Sequence, residues 1–324
     1  MPLIPIKPSI IQLYASLATL TSFALIRELV KDGVHTALNR AWKGVWIFLH
    51  PRTCLEVVKA LTSAETRPIV RAEPRLFLKY LTDYVGADLS RKERASILID
   101  HYEFLKDRVE VNFFRTIVDG RIQLWQQTIS GHRYDICLTF PRTATAHHEG
   151  DLSLIFVADG VDIYILSFAI GPGTIAGLTA SHVIYIARVQ GKGKGLHLIR
   201  TATKMCLDVS PSALLLAAAE GVATAFGLSH MIGIGADNHV SASADFRVND
   251  LAKAYDQFWV GAGGLRLTRH MYHLTVPSTH KPIQSIKRNH RSRALHKREY
   301  RILVTEQVCR AFRDLALVTN KGSL

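Results

Sequence analysis

Seven consecutive residues, Val189-Gln190-Gly191-Lys192-Gly193-Lys194-Gly195, carry the densest chemical signal in the chain. They sit between an apolar run that reads as a strand, His182–Val189, and a segment with helical spacing, Leu196–Leu207. Glycines at a strand-to-helix turn let backbone N–H groups face outward unobstructed. The positive end of the following helix adds to their pull on an anion, which suits a phosphate or pyrophosphate. Lys192 and Lys194 bring full charges to the same place. The residue order excludes two common phosphate loops. A dinucleotide fingerprint fails because its third glycine falls on Leu196 or Leu198, and a P-loop fails because Gly195 follows Gly193-Lys194 where Ser or Thr is needed. The competing reading is a plain glycine turn with two solvated lysines.

Other reactive side chains are scattered. Acyl transfer to an amine needs a base for the amine and an acid for the departing group. Tyr255 is the nearest candidate for the acid, set against a simpler role as a helix aromatic beside Phe258 and Trp259. Glu220 is the lone acid of a very apolar helix and reads as its exposed edge. Fifteen histidines include no His-Glu-x-x-His pattern, and no Cys pair completes a zinc set, so no metal ligands are assigned. His270 and His273 flank a strand whose alternation separates them. No Gly-x-Ser-x-Gly elbow supports a serine hydrolase.

The elements that must position these groups change character along the chain. Residues 1–108 read as a helical region, with helices over Ala41–Leu49, Thr53–Thr62 and Arg75–Tyr84. Ser90 with Glu93 forms a capping box for a helix running through Leu105. From about Val109 to residue 280 short strands dominate: Ile122–Ser130, Tyr134–Phe140, Leu152–Ala158, Val161–Ile170, His182–Val189, Met231–Ile234 and Leu267–Val276. Asp159-Gly160 marks a tight hairpin. Helices over Leu196–Leu207, Pro211–Phe226 and Leu251–Trp259 cross between strands. Residues 281–324 form a basic helical tail. The class is α+β: a helical start, a mixed sheet flanked by helices, and a basic C-terminal helix.

Forty Lys plus Arg face 27 Asp plus Glu, a formal charge of +13. Lys281–Arg301 alone holds eight basic residues and one acid, Glu299. Such an excess favours a phosphate-bearing small molecule or an anionic membrane surface. Nucleic acid is the weaker match, since Tyr300 is the segment's single aromatic. Four well-separated cysteines read as free, mostly buried thiols of a reduced compartment. The uncharged stretch Ser9–Ile26 is too polar for a membrane span and reads as an amphipathic helix. A cytoplasmic protein, with the inner membrane surface as a second location, is the expectation.

Two resemblances extend this reading. The spacing Gln-x-x-Gly-x-Gly, made by Gln190, Gly193 and Gly195, resembles the pyrophosphate loop of the N-acetyltransferase superfamily. It implies an acetyltransferase-like α/β domain with acetyl-CoA as cofactor. Asn238 fits the Asn that follows the next strand there. Ala252 and Tyr255 come late and out of register with Asn249, and an extra helix separates loop from strand. More broadly, the chain is similar to the bacterial VirK/YbjX family. The likeness is carried by Gln190-Gly191, Ala202-Thr203-Lys204, Pro211 with Leu214-Leu215, and Asn238-His239-Val240. Tyr255-Asp256-x-Phe258-Trp259, Gly263-Gly264 and Ser285-x-Lys287-Arg288 complete it. That resemblance implies a part in virulence, stress or envelope function and brings no established reaction with it.

Overall fold

A computed structural model describes residues 45–47, 49–141, 148–192, 195–240, 248–279 and 282–318. The Ser9–Ile26 segment, Gly193, Lys194 and Lys281 lie outside the described residues. Residues 1–56 and 57–324 form two units. In the first, helix α1 (Pro51–Leu61) begins, with Arg52 paired to Glu56 one turn on. The second contains everything that follows.

Helix α2 (Arg67–Ala72) leads into a 3-10 helix, Pro74–Leu81. The expected helix over Arg75–Tyr84 is thus tighter and shorter, because its last turn must aim Lys79 and Tyr80 inward, where both are buried. Helix α3 (Arg91–Lys106) starts at Ser90 with the full capping box: Ser90 accepts from the Glu93 amide and Glu93 accepts from the Ser90 amide. Helix α4 (Phe113–Asp119) stands where strand character was expected. Its Phe113, Phe114, Ile117 and Val118 follow helical spacing and are all buried.

One eight-stranded sheet follows, in the order β1-β2-β3-β4-β5-β6-β8-β7. Strands β1 (Ile122–Ile129), β2 (His132–Thr139), β3 (Leu152–Ala158), β4 (Val161–Pro172) and β5 (His182–Gly191) form an antiparallel meander. The Asp159-Gly160 turn has both residues at positive φ, as a two-residue hairpin requires. Every residue of β3 is buried, so the sheet is covered on both faces. Helices α5 (Leu196–Met205) and α6 (Pro211–Ala225) then carry the chain to β6 (His230–Ile234), which runs parallel to β5. Helix α7 (Val248–Gly261) leads to a two-residue edge strand, β7 (Leu265–Arg266), and to β8 (Met271–Thr275), a shorter closing strand than Leu267–Val276.

Alternation assigns the faces. Gly171 of β4 abuts Ile97 of α3 and the Tyr185 ring of β5, so α3 covers that face. Tyr185 registers with Ile232, hence the next residue, Gly233, faces the other side, where Trp259 of α7 lies. The tail forms α8 (Arg291–Ala316), which packs along α6 with Gly221 admitting the Thr305 carbonyl. Val304, Val308, Phe312 and Ala316 are fully buried there. The Glu110 amide donates to the Ala316 carbonyl, and the Val318 amide to that of Arg108.

A Cβ at Gly233 would lie 2.4 Å from the fully buried Trp259 ring, which is itself held by its indole N–H on the Ile234 carbonyl. Gly233→Ala therefore costs about 2–3 kcal/mol of stability by overpacking. Gly261→Ala, which meets open space, costs nothing. Urea denaturation of the two variants is the check.

Candidate functional site

Strands β5 and β6 pair over only three residues each, Ile184–Ile186 with Met231–Gly233. Beyond them β5 runs on to Gly191, bonded on its other side to β4. Strand β6 leaves because its continuation is claimed elsewhere. The Gly235 amide donates to the His270 carbonyl, the Ala236 amide donates to Asp256, and a 3-10 turn begins. Asn238 at the end of that turn is fully buried. Its side chain accepts from the Asp88 amide and donates to the Arg269 carbonyl, fastening this corner to the start of α3.

The gap so formed is filled by polar side chains that water does not reach. Glu149 is fully buried and accepts from Arg188 of β5. His239 places Nε2 3.7 Å from Glu149 Oε1 and stacks against the Tyr255 ring at 4.6 Å. Tyr255, 6% exposed, turns its hydroxyl toward the Val189 backbone without a hydrogen bond of ordinary geometry among the described residues. Burial, and then the Glu149 charge, raise that hydroxyl's pKa, so it keeps its proton. Burial, with Arg188 adding, pushes His239 down to about 4, so its ring is neutral at pH 7.

Two residues from Glu149 a second buried carboxylate serves another centre. Asp151 accepts from Lys79 at 2.8 Å, from Tyr102 at 3.1 Å and from Tyr84. Lys79 also donates to the Gly150 carbonyl at 2.7 Å and lies over the Tyr84 ring. Burial alone would raise the Asp151 carboxyl, but Lys79, His101 and the Tyr84 hydroxyl outweigh it and hold it below the ordinary carboxylate range. Burial pushes the neighbouring His101 down to about 4, and its Nδ1 accepts from the Ile170 amide. Gly150 separates the two acids against the Phe168 backbone, with only 2.6 Å for a Cβ.

The glycine loop continues from β5. Val189 is buried, Gln190 is exposed and Gly191 is seated against Tyr164 and Ile199. The Lys192 amide donates to the Ile163 carbonyl, and its ammonium pairs with Asp162 at 2.9 Å. The Gly195 amide donates back to the Lys192 carbonyl. Ahead of the first intrahelical bond, from Ile199 to Gly195, lie the first-turn amides of Leu196, His197 and Leu198. Tyr255 thus lies against the Val189 backbone on the β6 side of β5, whereas Lys192 and Gly195 lie against Asp162 and Ile163 of β4.

The profile of the family described as "Protein of unknown function (DUF535)" matches residues 35–310. The chain belongs to the DUF535 family. It is 24% identical over 273 residues, 81% of this chain and 80% of the relative, to "Uncharacterized protein YbjX" of Escherichia coli (strain K12). The VirK/YbjX likeness read from Gln190 to Arg301 therefore holds. No solved structure matches.

Within this DUF535 chain several groups lie away from the opening. Glu220 is not an idle edge: its carboxylate accepts from the amide and hydroxyl of Ser278, because the turn after β8 returns over α6. His273 meets His230, while His270 pairs with Asp237. In the basic tail Arg291 donates to two carbonyls and Arg293 pairs with Asp208. All four cysteines, Cys54, Cys137, Cys206 and Cys309, are buried. Among the described residues no helix is long and apolar enough to cross a membrane. Sequence reading missed Lys79, His101, Glu149, Asp151 and Arg188. The available signal was a charge inside an apolar run: Lys79 within Phe77–Leu81, and Glu149-Gly150-Asp151 ahead of a strand apolar but for Ser153.

Lys79→Met leaves Asp151 buried without its counter-charge and should cost about 3–5 kcal/mol, part of which Lys79→Met/Asp151→Leu recovers. Chemical denaturation of the single and double variants gives both numbers. A second expectation concerns pH. The folded pKa values of His101 and His239 lie near 4, below about 6.5 for an unfolded histidine. Below pH 6.5 the unfolded chain takes up protons that the native chain refuses. Stability is therefore full above about pH 6.5 and falls toward pH 4, by about 3 kcal/mol per histidine. Urea midpoints that stay flat between pH 6.5 and 4.5 would contradict this.

Proposed function

We propose that this chain binds acetyl-CoA, or a closely related phosphate-bearing ligand, along the free edge of β5 and transfers the acyl group to an amine. One observation carries the reading. The edge of β5 beyond Ile186 is left open by β6, leads to the glycine loop, and is faced by the buried Tyr255 hydroxyl. The α/β arrangement is consistent with the acetyltransferase-like expectation: an antiparallel meander, a strand followed by the glycine loop and a helix, then a parallel strand. Here the loop follows the fifth strand, with β1 as an added edge.

The residues present fit such a group. A hydroxyl nine-tenths buried, with no well-formed hydrogen bond among the described residues, is costly unless something uses it. The amides of Leu196–Leu198 open the ten-residue helix that follows the loop and suit a phosphate. Since Lys192 is held by Asp162, binding falls to these amides and to the Gly193-Lys194 stretch. When bound, acetyl-CoA supplies a thioester carbon open to an amine and a thiolate that must be protonated. Tyr255, kept neutral by burial, holds the proton for that thiolate. His239, also held neutral, packs against the Tyr255 ring and takes up no proton at pH 7, so the amine must arrive unprotonated. Kinship with VirK/YbjX proteins would set this activity in envelope or stress physiology.

The test is thermal unfolding of the full chain with acetyl-CoA, CoA and ADP. At a hundredfold excess over Kd, stabilisation of about 2.7 kcal/mol raises Tm by roughly 5–10 °C. Gly193→Asp should abolish the shift. Tyr255→Phe should keep it while lowering acetyl transfer to an amine panel at least about tenfold. Absence of any shift with acetyl-CoA or CoA would overturn the proposal.

A further inference from the structure

The β6–β8 register joins two imidazoles that the sequence keeps 43 positions apart. His230 opens β6 opposite Thr275, and Ile232 lies opposite His273. The two histidines therefore project from the same face, one step of the ladder apart. His230 Nδ1 and His273 Nε2 are 2.9 Å apart, with ring centroids 5.0 Å apart and planes 47° apart. Both side chains are half-buried, so they are fixed by the sheet yet reachable from solvent. They sit at the start of β6, at the other end from Gly235 and the opening described above.

We propose that His230 and His273 form a two-imidazole site for a divalent transition metal, copper(II) before nickel(II) and both before zinc.

Imidazole nitrogens bind such ions at about 2.0–2.1 Å, so a right angle at the metal sets them about 2.8–3.0 Å apart and a tetrahedral angle about 3.3–3.4 Å. The 2.9 Å of the metal-free pair is the length of its own hydrogen bond and lies within side-chain reach of either value. The affinity order for nitrogen donors makes the choice, with copper(II) at its head. In the metal-free pair one ring donates its N–H to the other. On metal entry that proton moves to the second nitrogen of the same ring, so two neutral ligands result and no proton is released. Among the described residues no group of three His, Cys, Asp or Glu side chains is placed to hold an ion. Water fills the remaining positions, and the metal exchanges. No consensus spacing announces such a site, because its two ligands meet only through the register.

The experiment is titration of the full chain with copper(II) against glycine as competitor, followed by electron paramagnetic resonance. One equivalent should show a tetragonal signal with two imidazole nitrogens. His230→Gln and His273→Gln should each weaken binding at least tenfold, and zinc should bind less tightly than copper. His147→Gln/His148→Gln, which removes an adjacent pair elsewhere, should leave the signal intact and decides the matter should either single variant fail to fold. A bis-imidazole signal that survives in His273→Gln, or one that vanishes with His147 and His148, would overturn the proposal. So would a pair that holds only its shared proton and no copper.

Discussion

Charge taken out of water has to be answered inside the protein, and in this fold the demand is concentrated in three residues, Glu149-Gly150-Asp151. Both carboxylates are fully buried, and each is answered by a cation from a different part of the chain. Asp151 draws Lys79 from the 3-10 helix and two tyrosine hydroxyls, Tyr84 ahead of α3 and Tyr102 within it, so the helical half is keyed to the sheet by a polar contact. Glu149 draws Arg188 from β5. Desolvating an ion costs several kcal/mol, and only complete pairing offsets it. The segment tolerates no alternative seating, since Gly150 has no room for a side chain against Phe168.

That arrangement explains why the sheet can stay open between β5 and β6. A parting of two central strands exposes backbone groups that would otherwise have to be bonded. Here the gap is occupied by Arg188, Glu149, His239 and Tyr255, which replace a ladder by side chains. Asn238 and the Gly235 turn keep β6 from closing it. A gap filled in this way holds β5 and β6 apart without a backbone ladder between them.

Much of the scaffold was legible in residue patterns. Ser90 with Glu93 and Asp159-Gly160 act through local backbone chemistry, and each forms the cap or turn expected. Alternating β-branched and aromatic runs gave the meander to within two residues. Helix α4 was misread because Phe113 and Phe114 favour strands, whereas their burial follows a helical period. The glycine loop was visible as a motif, but the engagement of Lys192 by Asp162 depends on β4 lying alongside, which no local pattern encodes. The paired buried charges were the least legible part. Lys79 and Asp151 are separated by 72 positions, and only the folded chain shows that they meet.

The last long helix has a consequence for how the protein is made. Val304, Val308, Phe312 and Ala316 complete the interior around α6, and the main chain at Ala316 and Val318 is bonded to residues before β1. A ribosome-bound chain lacking these residues would expose the apolar surface of α6 to the cytosol. Closure of the interior must follow release of the C-terminal residues, so the nascent protein passes through a stage at which a chaperone has an apolar surface to grip.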